Sequence, residues 1–83
     1  MITIYGHERC GWCKKAKALA EQYSLKYEYL DTDDAGVLSS LKARLPDVKT
    51  VPQIWWGDRY IGGYDKFANE IQNTIGGYGK QNF

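Results

Sequence analysis

Both cysteines of this chain, Cys10 and Cys13, lie in the stretch Glu8-Arg9-Cys10-Gly11-Trp12-Cys13-Lys14-Lys15, where a strand-like run gives way to a helix-like one. No other feature constrains the fold as much. Two thiols spaced i and i+3 serve as a redox pair, as half of a metal site or as a structural crosslink. The crosslink is the weakest reading, because closing so short a loop restrains the unfolded chain by only about 2 kcal/mol before any strain in the bond is subtracted. A structural zinc site normally takes four ligands, and beyond the cysteines the chain offers a single histidine, His7, with carboxylates as poor substitutes. The redox pair remains. If a helix begins at Gly11 or Trp12, Cys10 stands at its N-terminus, where unpaired N–H groups and the helix dipole favour a thiolate. Cys13, one turn in, is then shielded. A cysteine with a pKa near 8.5 is only about 3% ionised at pH 7, whereas one lowered to about 5 is almost wholly thiolate. Arg9, Lys14 and Lys15 add positive charge at the same place.

At 83 residues the chain is long enough for one domain with a modest core and too short for two. A net charge of +1 gives no strong electrostatic case for nucleic acid or an anionic membrane as partner. The start, Met1-Ile2-Thr3-Ile4-Tyr5-Gly6-His7, lacks a basic segment followed by a long apolar one, so neither signal peptide nor membrane span is expected and the chain is placed in the cytoplasm. In that compartment a cysteine pair is more often catalytic than structural. The seven tyrosines and three tryptophans are expected in core and groove walls.

Met1 to Tyr5 is β-branched and aromatic and ends at Gly6, which predicts a buried first strand. From Gly11 to Tyr23, Ala16, Leu19, Ala20 and Tyr23 recur at three- and four-residue intervals between charged residues, the pattern of an amphipathic helix. Leu25 to Leu30 largely alternates and reads as a second strand. Asp31-Thr32-Asp33-Asp34 offers caps for a helix carrying Val37, Leu38, Leu41 and Leu45, closed by Pro46. Thr50 to Trp56 predicts a third strand with Pro52 at its start or edge, Gly57-Asp58 a turn, and Arg59-Tyr60-Ile61 a returning fourth strand ended by Gly62-Gly63. Asp65 can cap a last helix with Phe67, Ile71 and Ile75 at four-residue spacing, stopped by Gly76-Gly77. No repeat or linker interrupts residues 1–76, read as one domain, and residues 77–83 read as a flexible tail. The order is strand, helix, strand, helix, strand, strand, helix: an α/β chain whose right-handed crossover places the first two strands parallel in a mixed sheet.

With the cysteines after the first strand, Thr50-Val51-Pro52 before the third and Gly62-Gly63-Tyr64-Asp65 at the last helix, the chain resembles a small dithiol glutaredoxin over roughly residues 1 to 75. Thioredoxin itself, with Trp-Cys-Gly-Pro-Cys and a longer chain, fits less well. The resemblance implies a thioredoxin-like fold, a four-stranded mixed sheet flanked by three helices, and a cis Val51–Pro52 bond. It implies glutathione as co-substrate, held by Trp12, Lys49, Thr50, Val51, Pro52, Gly63, Tyr64 and Asp65, with no metal. Trp12 takes the place of the usual tyrosine as a groove wall. Val51 would hold the cysteinyl backbone and Lys49 the glycyl carboxylate. Tyr64 and Asp65 lie at a helix start that suits the γ-glutamyl end. The chain departs from the family pattern at Gly11, usually proline; at His7, commonly lysine or arginine; at Trp12, which has no hydroxyl; and at Lys66, where an acid is frequent.

The expected activity is that of a monomeric, glutathione-dependent thiol–disulfide oxidoreductase in which Cys10 attacks and Cys13 resolves. Its substrates would be disulfide-containing or glutathionylated proteins, a ribonucleotide reductase among them by family analogy. Three alternatives stay open. A thioredoxin reductase would supply the electrons; Gly11 would let Cys10 and external glutathione hold an iron–sulfur cluster between two subunits; or His7, Cys10 and Cys13 would bind a metal in an interaction module.

Overall fold

The computed structural model describes residues 1–76, so the expected tail, with Gly77 of the helix stop, lies outside the described residues. In chain order the elements are β1 (Ile2–Gly6), α1 (Gly11–Gln22), β2 (Tyr27–Asp31), α2 (Ala35–Arg44), β3 (Gln53–Trp56), β4 (Arg59–Gly62) and α3 (Tyr64–Ile71), which runs on as a π-helical turn, Gln72–Gly76. The sheet order is β2-β1-β3-β4, with β1 parallel to β2 and the pairs β1–β3 and β3–β4 antiparallel. This is the expected thioredoxin-like arrangement.

Alternation along the central strand decides which layer each residue joins. Ile2 and Ile4 turn to one face and pack with Ala16 and Ala20 of α1, Ile54 of β3, and Phe67 and Ile71 of α3. Tyr5 turns to the other, where it meets Trp55 and Leu41 of α2. Helices therefore cover both faces. Each fully buried isoleucine or phenylalanine contributes about 1.5–3 kcal/mol. The larger cluster, under α1 and α3, is also the one that fixes those two helices relative to each other.

β3 starts at Gln53, three residues after the expected Thr50, and three further element ends differ from expectation by two residues or more. β2 starts at Tyr27, two residues after Leu25, because the Ser24 and Leu25 N–H groups close the end of α1 on the Glu21 and Ala20 carbonyls, at 3.0 and 2.9 Å. Only from Lys26, whose carbonyl accepts from Ile2 N–H at 2.9 Å, does the chain join the sheet. Asp65 does not cap α3. The helix starts two residues earlier, with Gly63 at the cap and its carbonyl accepting from Phe67 N–H at 3.0 Å, which places Asp65 inside the first turn. Third, regular α-helix ends at Ile71, before the expected Ile75. The β3–β4 turn forms as read, with Gly57 left-handed (φ 63°) where a side chain would be strained.

Asp34 caps α2 as its position suggested, its carboxylate accepting from Gly36 N–H at 2.8 Å and Val37 N–H at 3.1 Å. Asp34→Ala should lower stability by about 1 kcal/mol. Urea unfolding should show this as a lower midpoint at unchanged slope; an unmoved midpoint would mean that these bonds do not hold the helix start.

Candidate active site

Gly6 ends β1, three residues cross the sheet edge, and the chain turns into α1 at Gly11 with Cys10 at the cap position in extended conformation (φ −96°, ψ 111°). The Cys10 carbonyl accepts the first helical bond, from Lys14 N–H at 3.2 Å. Its sulfur takes the role that a serine or aspartate oxygen usually plays, accepting from Cys13 N–H at 3.1 Å. The two sulfurs are joined as a disulfide, with Cα atoms 5.2 Å apart. Cys10 is half-buried and Cys13 has no exposed surface, so only the first sulfur is open to attack or to a substrate.

Cys10 borders a groove of about 470 Å³ lined by Trp12, Thr50, Val51, Pro52, Gly63, Tyr64, Asp65 and Lys66. The Val51 carbonyl oxygen lies 3.6 Å from Cys10 Sγ, and the Val51–Pro52 bond is cis, as the resemblance implied. Trp12, 53% exposed, stands at the start of α1 with its ring 5.3 Å from that of Tyr64 at the start of α3. The Lys15 ammonium lies 4.3 Å from the centre of the Trp12 ring. Every residue expected at the glutathione site lines this groove except Lys49. Lys49 lines a second cavity, of about 270 Å³, together with His7 and Lys42, and this cavity shares Thr50 and Val51 with the groove.

Two contacts change what the sequence suggested about charge and support. Arg9 is engaged by a carboxylate: it makes a two-pronged pair with Asp33, in the segment after β2, at 2.8 and 3.0 Å. Hydrogen bonding from Arg9 holds the Asp33 carboxyl below its usual range, and the same bond raises the guanidinium. The helix-end amide, rather than Arg9, is thus the contact that favours charge on Cys10. Gln53 was missed. Its amide donates to the Thr50 carbonyl at 3.0 Å and its oxygen accepts from the Tyr60 hydroxyl at 2.6 Å, so β4 steadies the loop that forms one groove wall. The available signal was a polar residue inside the apolar run Val51 to Trp56. Lys42 gave none, since one lysine on a helix reads as solvated surface. Among the described residues no three His, Cys, Asp or Glu side chains converge as metal ligands do.

The glutaredoxin family model matches residues 2–61, most of the chain. The chain belongs to the glutaredoxin family. It is 36% identical over 81 residues to glutaredoxin 1 of Escherichia coli K12, covering 88% of this chain and 94% of that protein. The structure of reduced E. coli glutaredoxin superposes with a TM-score of 0.77 at 33% identity, over 89% of this chain and 95% of that one. Buckwheat glutaredoxin, solved in complex with glutathione, gives 0.72 at 22% identity, over 87% of this chain and 68% of that one, a likeness of fold. With its cysteines paired at the end of α1, this glutaredoxin is a thiol–disulfide oxidoreductase.

The Arg9–Asp33 pair ties the loop that carries Cys10 to the segment after β2. Because the folded Asp33 pKa lies below the unfolded one, the pair's contribution is complete above the ordinary aspartate range and is lost as pH falls through the folded value. The stability difference between this glutaredoxin and its Asp33→Asn variant should therefore be steady near neutrality, shrink with added salt and disappear once pH has fallen through the folded Asp33 value. Unfolding measured across that range checks it; a difference of full size in acid would show that charge is not what binds the two loops.

Proposed function

We propose that this glutaredoxin uses glutathione to reduce protein disulfides and glutathionylated cysteines, acting as a monomer in the cytoplasm with residues 1–76 as the working unit. One observation carries the reading: the single reachable sulfur stands on a helix-end amide beside a groove bordered by an aromatic wall and by the N-terminus of a second helix.

The Cys10 thiolate attacks one sulfur of the substrate disulfide, forming a mixed disulfide and releasing the other sulfur as a thiolate that takes up a proton. Cys13 then displaces the remaining substrate sulfur, and the Cys10–Cys13 bond so formed is reopened by two glutathione molecules, which leave as glutathione disulfide. In the groove, the γ-glutamyl carboxylate lies at the free N–H groups at the start of α3. The Asp65 carboxylate, which is not engaged as a cap, pairs with the ammonium, and Lys66 on the same rim weakens that pairing. The cysteinyl backbone runs along Val51. The glycyl carboxylate reaches the adjoining cavity, where Lys49, Lys42 and His7 supply cationic or titratable groups. That a family relative of the same fold, the buckwheat protein, has been solved with glutathione bound supports the placement.

Removing each thiol separates the steps. Cys13→Ser should keep much of the reduction of a small glutathione mixed disulfide, where a second glutathione does the resolving, yet stall on a protein disulfide as a trapped complex. Cys10→Ser should lose both activities, since the one thiol that remains, Cys13, has no exposed surface from which to attack a substrate. Both activities are measured on both variants with glutathione as the only reductant. Equal loss in Cys13→Ser, or survival of either activity in Cys10→Ser, would remove the assignment of attacking and resolving sulfurs.

A further inference from the structure

Thiol–disulfide exchange makes a demand on Cys13 that nothing described so far meets. Its thiol must give up a proton before it attacks Cys10, and its sulfur must carry charge again when glutathione displaces it. Yet the residue has no exposed surface, and its own backbone N–H is directed to Cys10. Charge on a sulfur shut off from water is unfavourable unless a donor is aimed at it.

Behind the disulfide, β1 and β2 bring two groups together. A Cβ placed on Gly6 would lie 2.6 Å from Cys13 Sγ and 2.6 Å from the Tyr29 hydroxyl oxygen. Sulfur and hydroxyl therefore stand within twice that distance of each other, both against the empty Cβ position of Gly6, and any larger residue at Gly6 would intrude. With the disulfide closed, the Tyr29 hydroxyl donates to the His7 backbone carbonyl at 3.1 Å. When the disulfide opens, Cys13 Sγ is freed from Cys10 and can close the gap by side-chain rotation, while a phenolic O–H changes acceptor by turning about its C–O bond.

We propose that Tyr29 is the hydrogen-bond donor to the resolving sulfur, its hydroxyl passing from the His7 carbonyl to Cys13 Sγ whenever the Cys10–Cys13 bond is open. The inference rests on the reading of Cys13 as the resolving thiol. In that step Cys13 loses its proton, its sulfur bonds to Cys10 Sγ and the bond from Cys10 to the substrate sulfur breaks. The electron pair stays on the departing substrate sulfur, which takes up a proton, and Tyr29 keeps its own throughout. In the reverse direction Cys13 leaves Cys10 as a thiolate that Tyr29 holds until it is protonated. Charged groups around Tyr29 come from the elements beside it: Glu8 before α1, Asp31 in β2, and Lys17 of α1, whose ammonium lies 4.7 Å from the ring centre. Burial first, then the charges of Glu8 and Asp31, push the phenol above its ordinary range, so it remains protonated and able to donate.

Tyr29→Phe deletes the hydroxyl and keeps the ring that packs against the main core. In a Cys10→Ser background Cys13 is the one thiol left, and the ultraviolet absorbance of its thiolate titrates it with no glutathione present. There Tyr29→Phe should raise the Cys13 pKa by about one unit. In the chain with both cysteines, it should slow single-turnover release of a peptide held by Cys10 in a mixed disulfide about tenfold, as loss of a hydrogen bond to a charged group would. A purely structural role would lower the unfolding midpoint without moving the titration. Superimposable Cys13 titrations with and without the hydroxyl would overturn the proposal, whichever reductant the enzyme uses. Carbon NMR of Tyr29 Cζ in the unmodified chain checks the same switch: the resonance should shift between oxidised and reduced protein, and an unmoved resonance would likewise overturn it.

Discussion

The hydrogen bond from Cys13 N–H to Cys10 Sγ is the contact that gives the rest of the structure its purpose. A helix start needs an acceptor for its unpaired N–H groups, and here the acceptor is the sulfur we propose as the nucleophile. Capping strength and nucleophile activation are thereby one interaction, since whatever seats the sulfur on the helix end also favours its ionised form. β1 delivers Cys10 to that position, the packing of Ala16 and Ala20 against Ile2 and Ile4 fixes the helix beneath it, and burial of Cys13 leaves one sulfur to receive the substrate.

The same large core positions the other half of the site. Phe67 and Ile71 hold α3 against the sheet beside α1, so the two helices present their N-terminal ends, with Trp12 and Tyr64, to one groove. Its remaining wall is the loop before β3, kept in place by Gln53 and Tyr60 from the sheet side. No residue of the sheet enters the chemistry except through what it steadies. Tyr29 is the exception we infer: it is part of the core by its ring and of the exchange reaction by its hydroxyl.

Much of this was legible in the sequence, because strand alternation and helical spacing of small apolar residues are local signals. Ile2-Thr3-Ile4-Tyr5 and Ala16/Ala20 identified β1 and α1, and with them the setting of the cysteines. The motifs Thr50-Val51-Pro52 and Gly63-Tyr64-Asp65 likewise located the groove. What failed were features that depend on neighbours distant in the chain. The charge of Arg9 was assigned to the sulfur because the two are adjacent in sequence, whereas Asp33 captures it through folding. Asp65 looked like a cap because its residue type suits one, but the backbone at Gly63 begins the helix without it. The relations of Gly6 to Tyr29 and of Lys42 to Lys49 join residues from separate elements, and no local pattern announces either.

The central claim is that the helix end, acting on one of two chemically identical sulfurs, decides which is the nucleophile. Alkylation of the fully reduced chain by iodoacetamide, with each cysteine followed separately by peptide mass mapping as pH is varied, tests it most directly. The account predicts that Cys10 is modified first, with its rate reaching a plateau well below the pH at which an ordinary thiol ionises, while Cys13 lags at every pH. A Cys10 profile matching that of an unperturbed cysteine, or equal rates at the two positions, would contradict it.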